Sequence, residues 1–71
     1  MNMVHCEASL LEVSRLMREC RTAELVVVTE TGGKPCTLGI VTANDIVTRV
    51  VALDLDPSVL TAGDIARFAA H

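Results

Sequence analysis

The hydroxyl of Thr42 and the carboxylate of Asp45 are the two groups best placed for binding chemistry. They stand three residues apart, where we expect a strand to end at Thr42 and a helix to begin near Asn44. At such a corner, backbone N–H groups and a partial positive charge face outward and favour oxygen-rich, anionic groups. The same spacing is that of a capping box, in which the two side chains only satisfy backbone N–H groups. Spacing alone leaves both interpretations open.

His5 and Cys6 are a second pair with chemical potential, as a thiolate beside a base. Neighbours on an extended segment point to opposite faces, and no oriented acid accompanies them. A metal site formed by His5, Cys6 and Cys36 would need a fourth ligand. Together with Cys20 the cysteines are odd in number and widely spaced, which indicates buried small hydrophobes. We therefore predict no catalytic residue, no enzyme activity, no metal ligand and no required cofactor.

Apolar spacing predicts the elements that precede this corner. Residues Leu10–Cys20 show helical periodicity, and Ser9 followed by Glu12 has capping-box spacing at the helix start. Residues 25–29 form a β-branched run that predicts a buried central strand. Residues 3–6 predict only a short extended lead-in.

A hairpin and two helices complete the predicted order. Residues 30–36, with two glycines and a proline, predict a chain reversal before a second strand over 37–42. A helix over 46–53 follows, although its β-branched residues must be held there by packing. Residues 54–57 end it, and a further Thr-x-x-Asp cap precedes a short helix over 65–70. We predict an α+β fold whose two-stranded sheet is marginal alone.

Size and charge narrow the class of protein. A chain of 71 residues with a net charge of −3 describes one small domain, and such a domain usually needs disulfides, a metal or a partner chain for stability. Because the cysteines favour neither of the first two, we expect a partner, most simply a second copy. Scattered basic residues and a single Phe as the only aromatic residue exclude a nucleic-acid partner. Without an 18-residue apolar run or a secretion signal, we expect no membrane partner and a cytoplasmic location.

Residues 39–46, Gly-Ile-Val-Thr-Ala-Asn-Asp-Ile, resemble the ligand-binding signature of the cystathionine-β-synthase (CBS) domain family. The similarity covers nearly the whole chain: residues 9–20 resemble the first helix of the family, 25–29 its first central strand, 32–33 its hairpin loop and 50–57 its exit from the second helix. Residues 60–65 resemble the start of a following repeat. The resemblance implies one CBS domain over 1–71, with a core at 4–57 and a linker and short helix at 58–71.

CBS repeats generally work in pairs, called Bateman modules, whose clefts bind adenosine compounds, and a lone repeat can copy this by homodimerising. The resemblance implies a regulatory module that binds AMP, adenosine or S-adenosylmethionine in preference to ATP. It also implies a Bateman-like homodimer that regulates a protein in cis or in trans. The alternative is a structural dimerisation module with a vestigial cleft.

The resemblance also assigns roles to individual residues. Asp45 accepts hydrogen bonds from the ribose hydroxyls, and Thr42 binds ribose or phosphate oxygens. The remaining site residues flank the adenine, meet its edge through main chain around 22–25, or lie at the helix start: Val4, Ala23, Leu25, Ile40, Val41 and Asn44.

One departure from the family pattern concerns phosphate. Many members carry a basic residue in the two positions before the signature Asp, where this chain has Ala43 and Asn44. We therefore expect weak phosphate binding. Arg49 lies one turn beyond Asp45, and its spacing favours an ion pair with Asp45 over a position leaning into the cleft.

Overall fold

The computed structural model describes residues 2–67. Its elements follow in the order β1 (Met3–His5), α1 (Leu10–Cys20), β2 (Glu24–Thr31), β3 (Lys34–Thr42), α2 (Ala43–Ile46), a π-helical segment (Val47–Val51) and α3 (Ala62–Ile65). The predicted α+β class is confirmed. None of the helices within this part of the chain has the length and apolar character that crossing a bilayer requires.

The sheet has three strands in the order β1-β2-β3 among the described residues, so the prediction of two strands was wrong. β2 is central, as its apolar run predicts. β1 pairs with it in parallel, with Val4 opposite Val27, and β3 pairs in antiparallel fashion. A three-residue strand is too short to show a period, and its pairing is decided by the free edge of β2.

The hairpin is tighter than the predicted reversal over residues 30–36. Both strands extend to a two-residue turn at Gly32 and Gly33, whose φ angles are 60° and 78°. Positive φ at both central residues is the geometry of a tight hairpin turn and explains the glycine pair. Pro35 lies within β3, opposite Glu30, at a sheet edge where a residue without an N–H group is tolerated.

The hydrophobic core lies between one face of the sheet and the helices. α1 is as predicted, and Ser9 and Glu12 form its capping box. The buried core residues come from α1, the two long strands, the second helical region and α3: Leu10, Val13, Met17, Leu25, Val27, Val41, Ile46, Val50, Ala62 and Ile65. The opposite face of the sheet carries Met3, Val26 and Ile40, which share one register across the three strands.

The helix predicted over residues 46–53 begins earlier and ends earlier. α2 starts at Ala43, and the turn widens to π-helical geometry at Val47, where Ala52 donates its backbone N–H to the Val47 carbonyl at 2.8 Å. The widening coincides with the run of β-branched residues, which crowd a regular α-helix. The helical region ends at Val51, and Asp54 adopts a left-handed conformation.

The chain after α3 is extended, so the helix predicted over 65–70 was wrong at residues 66 and 67. Residues 68–70 of that prediction lie outside the described residues. Arg67 exchanges two backbone hydrogen bonds with Ile40, at 2.8 and 2.9 Å. The outer edge of β3 offers unpaired N–H and C=O groups, and a chain segment passing beside it satisfies them.

Candidate functional site

Thr42 and Asp45 meet at the predicted corner between β3 and α2. The Thr42 hydroxyl accepts a hydrogen bond from the backbone N–H of Asp45 at 3.0 Å, so Thr42 is the N-cap of α2. The reciprocal bond of a capping box is absent between these residues, because the Asp45 carboxylate points elsewhere: its Oδ1 accepts from Nε of Arg67 at 2.8 Å. Capping therefore accounts for the hydroxyl of Thr42 and leaves the carboxylate of Asp45 for another partner.

The Asp45–Arg67 pair joins a buried anion to an exposed cation. The Asp45 side chain is 2% exposed, whereas the Arg67 side chain is 62% exposed. The second carboxylate oxygen, Oδ2, is buried and has no hydrogen-bond partner within residues 2–67. A buried polar group left unpaired lowers the free energy of unfolding by about 1–3 kcal/mol. The unpaired Oδ2 of Asp45 is therefore unfavourable for the stability of the fold.

Opposing effects act on the pKa of Asp45. Burial raises it, but the nearby hydroxyl and backbone N–H of Thr42, together with the hydrogen bond and positive charge of Arg67, outweigh burial and hold the pKa below the ordinary value of 3.8. The carboxylate is therefore ionised at neutral pH and acts as an acceptor only.

An open cleft of about 240 Å³ lies where β2 begins and β3 ends. It is lined by Asn2, Thr22, Glu24, Leu25, Val26 and Ile40. The lining includes much of the segment 22–25 that the family resemblance assigns to the base edge. This segment is tied to the corner of Asp45, because Ala43 donates its backbone N–H to the carbonyl of Ala23 at 2.8 Å.

The predicted apolar residues do not all meet at this cleft. Leu25 and Ile40 line it, and Ala23 is exposed in the segment just before β2. Val41 is fully buried on the core face of the sheet. Val4 lines a different, shallower groove of about 300 Å³ beside α1. Alternation along a strand explains the separation, since Ile40 and Val41 must point to opposite faces.

The polar site residues also occupy different surroundings. Asn44 is exposed in the first turn of α2. Asp45 is buried and does not line the cleft; it approaches the cleft through Arg67, whose backbone pairs with the lining residue Ile40.

The predicted ion pair between Arg49 and Asp45 was wrong. Nη1 of Arg49 instead donates to the carbonyl oxygen of Ile65 at 3.0 Å, at the end of α3. The π-helical segment begins between positions 45 and 49, so the regular one-turn spacing on which that prediction depended does not hold.

The cysteines are less buried than predicted. Cys20 and Cys36 are exposed and Cys6 is half-buried, because Cys20 ends α1 and Cys36 lies on the part of the hairpin beyond the core. Sγ of Cys6 lies 3.8 Å from Nδ1 of His5, and Nδ1 accepts from the backbone N–H of Glu7. No group of three or more metal-ligating side chains occurs within residues 2–67.

Arg67 is the site residue that the sequence did not reveal. The spacing of residues 61–70 favoured a helix, which placed Arg67 far from Asp45. The available signal was a short segment after a capped turn, because such a segment can pair in extended form with a free strand edge. This signal is weak unless the free edge of β3 is already known.

Comparison with known proteins places this geometry in a known fold. No protein-family model matches the chain, and no curated protein matches it. Among solved structures, a cystathionine beta-synthase domain protein fused to a Zn-ribbon-like domain aligns with a TM-score of 0.81 at 24% identity, covering 94% of this chain and 90% of that chain. The hexameric CBS-CP12 protein from bloom-forming cyanobacteria aligns with a TM-score of 0.80 at 26% identity, covering 94% of this chain and 38% of that chain. An uncharacterized conserved protein from Pyrococcus horikoshii aligns with a TM-score of 0.85 at 28% identity, covering 100% of this chain and 51% of that chain.

The chain has the CBS-domain fold, which confirms the family resemblance and the fold that it implies. It spans about half the length of the Pyrococcus protein and 38% of the CBS-CP12 chain.

Proposed function

We propose that this chain is a regulatory module that binds an adenosine compound in a cleft completed by a second copy. The candidate ligands are AMP, adenosine and S-adenosylmethionine, which we rank above ATP. The observation that carries the proposal is the buried carboxylate of Asp45, which has one oxygen without a hydrogen-bond partner among the described residues. Arg67 links this carboxylate to Ile40, which lines the open cleft. Buried polar groups are normally paired, so an exception calls for a functional explanation.

The chemistry of the corner suits a ribose. Two neighbouring hydroxyls are donors, and an ionised carboxylate accepts without competing as a donor. Burial strengthens such bonds, because the local dielectric constant is low. The main chain of the segment around Thr22 and Glu24 supplies donors and acceptors for a base edge, and Ile40 offers an apolar surface for its face.

The size of the cleft supports a second copy. Sites for small molecules usually have volumes of about 300–1,000 Å³ and enclose most of the ligand, whereas this open cleft measures about 240 Å³. The sheet face that carries the cleft residue Ile40 also exposes Met3, which is 61% accessible. A second copy against this face covers apolar surface and closes the cleft. The hexameric assembly of the CBS-CP12 relative supports association through domains of this fold.

The proposed location is the cytoplasm. The three cysteines are free thiols, which fits a reducing compartment. The module acts on a regulated protein, either in cis or in trans.

A ligand panel tests the binding function. Thermal unfolding is followed with adenosine, AMP, ADP, ATP, S-adenosylmethionine and NAD. A ligand at a hundred times its dissociation constant adds about 2.7 kcal/mol to the free energy of unfolding. For a domain of this size we expect a rise in Tm of roughly 10 °C or more with AMP or adenosine. No shift with any compound would reject the sensing function.

Sedimentation at several protein concentrations tests the second copy. Met3→Lys places a charge on the proposed pairing face, and we expect it to weaken the dimer. Val59→Lys is the matched control, because Val59 is 73% exposed and lies between the π-helical segment and α3, outside the three strands. Equal dissociation of both variants, or a wild-type monomer at micromolar concentration, would contradict the proposed pairing.

The alternative is a structural dimerisation module with a vestigial cleft. The ion pair between Arg67 and Asp45 favours it, because the side chain of Arg67 already occupies the carboxylate that a ribose would use. The alternative expects a dimer in sedimentation and no thermal shift with any compound of the panel.

A further inference from the structure

The short strap formed by residues 65–67 is held at two points. The backbone of Arg67 exchanges two hydrogen bonds with Ile40, and the carbonyl of Ile65 accepts from the side chain of Arg49. These bonds hold the backbone of Arg67, whereas its side chain contacts the protein through Asp45 and is 62% exposed. The strap therefore fixes the position from which the guanidinium reaches Asp45.

A diol that binds Asp45 must compete with Arg67. Oδ1 of Asp45 is occupied by Nε of Arg67 at 2.8 Å, and Oδ2 is buried. The ligand can engage both oxygens only if the guanidinium moves away. Its side chain is 62% exposed, so water can solvate the displaced cation. A ligand that offers this cation a new anionic partner recovers the lost ion pair, whereas a neutral ligand does not.

We propose that Arg67 is the specificity-determining residue of this site and makes it prefer a nucleoside monophosphate over the free nucleoside. When the ribose takes the carboxylate of Asp45, the guanidinium of Arg67 exchanges that carboxylate for the phosphate of the ligand. The inference rests on the proposed function, which it deepens by naming the class of ligand.

The donor set supports this exchange. A guanidinium has five N–H donors in a planar fork and pairs with phosphate through two parallel hydrogen bonds. In the structure only Nε of Arg67 is used, and its terminal nitrogens make no hydrogen bond within residues 2–67. Ala43 and Asn44 offer no positive charge at the corner, and Arg49 is engaged by the carbonyl of Ile65. Within residues 2–67, Arg67 is thus the cation that contacts the carboxylate of Asp45.

Titration calorimetry with AMP and adenosine tests the proposal on the wild type, Arg67→Gln and Arg49→Gln. The quantity compared is the ratio of the dissociation constant of adenosine to that of AMP. We expect the wild type to prefer AMP and Arg67→Gln to reduce the ratio by about tenfold or more, the scale of one charge-assisted contact. Adenosine should bind Arg67→Gln at least as tightly as the wild type, because its competitor for Asp45 is gone.

Arg49→Gln is the matched control, since it removes the same charge from a residue that contacts the strap but not Asp45. We expect it to keep the wild-type ratio. An unchanged ratio in Arg67→Gln, or an equal fall in both variants, would overturn the role of Arg67 while leaving nucleotide binding intact. If neither ligand binds the wild type or Arg67→Gln, the proposed function itself has failed and the inference fails with it.

Arg67→Lys covers the case in which Arg67→Gln does not fold, which circular dichroism will show. Lysine keeps the charge but has no planar fork. We expect a ratio below that of the wild type with AMP still preferred. A ratio equal to that of the wild type would show that the planar guanidinium of Arg67 does not recognise the phosphate.

Discussion

The chain contains two Thr-x-x-Asp corners that look alike in sequence and behave differently in structure. At the second corner, the carboxylate of Asp64 accepts from the backbone N–H of Thr61 at 2.9 Å, and both residues remain near the surface. At the first corner, Thr42 caps the helix but Asp45 is buried and paired with Arg67. The carboxylate of Asp64 caps its helix, whereas that of Asp45 is hydrogen-bonded to Arg67 instead.

The difference shows that burial decides which carboxylate is available for another role. An exposed Asp at the third helical position reaches back to the helix start, where its charge is also favoured by the helix dipole. A buried Asp with an unpaired oxygen is costly to the fold, so its presence calls for a purpose beyond helix initiation. Substitutions at the two corners can separate these roles.

The largest expected effect is on ligand binding at the first corner. Asp45→Asn keeps the shape of the side chain but removes its charge and one acceptor. We expect it to weaken binding of AMP by about 1.5–3 kcal/mol, the range for hydrogen bonds to a charged group. Titration calorimetry at neutral pH measures the change directly.

Asp64→Asn is the control for the first prediction, because it makes the same chemical change at the same spacing. We expect its affinity for AMP to equal that of the wild type. Comparable losses in both variants would mean that Asp45 acts only through the stability of its helix.

Much of the fold could be predicted from the sequence because its strongest signals are local. The periodicity of α1, its capping box and the apolar run of β2 depend on neighbours along the chain, and the structure confirms them. The parallel strand β1 and the extended segment at Arg67 depend instead on free strand edges elsewhere in the fold. Short segments that pair with a distant edge carry almost no periodic signal.

The candidate site divides in the same way. The corner of Thr42 and Asp45 was visible as a motif, and its strand-to-helix geometry follows from local rules. The partner of Asp45 was not visible, because Arg67 lies 22 positions away in sequence and arrives through tertiary pairing. The expected partner, Arg49, was chosen by α-helical spacing, which the π-helical segment alters.

A smaller effect is expected on stability from the cap of α2. Thr42→Ala removes the hydroxyl that accepts from the N–H of Asp45, and loss of an N-cap costs about 1 kcal/mol. For a domain of this size the corresponding fall in Tm is about 4–8 °C. Thr42→Ser should restore most of it, since serine keeps the acceptor. A serine variant as unstable as Thr42→Ala would assign the effect to lost packing of the methyl group.

The smallest effect is expected in the pH dependence of folding. The pKa of Asp45 in the folded chain lies below its ordinary value of 3.8, so its contribution to stability is present above that value. The contribution disappears as the pH falls from 3.8 through the lower pKa of the folded state, where the carboxylate becomes protonated. Urea unfolding of the wild type between neutral and acidic pH should show this loss.

Comparison with two variants isolates that contribution. Hydrogen bonds from Ser58 also lower the pKa of Asp56, so the wild-type curve contains more than one group. Asp45→Asn should flatten the acid limb, and Asp56→Asn should leave the part that belongs to Asp45. The effect of Asp45 should shrink in high salt, because Arg67 is largely exposed and its charge is screened.

An acid limb that is identical in the wild type and Asp45→Asn would show that the pair between Asp45 and Arg67 adds nothing to folding. The two Thr-x-x-Asp corners would then differ in burial alone.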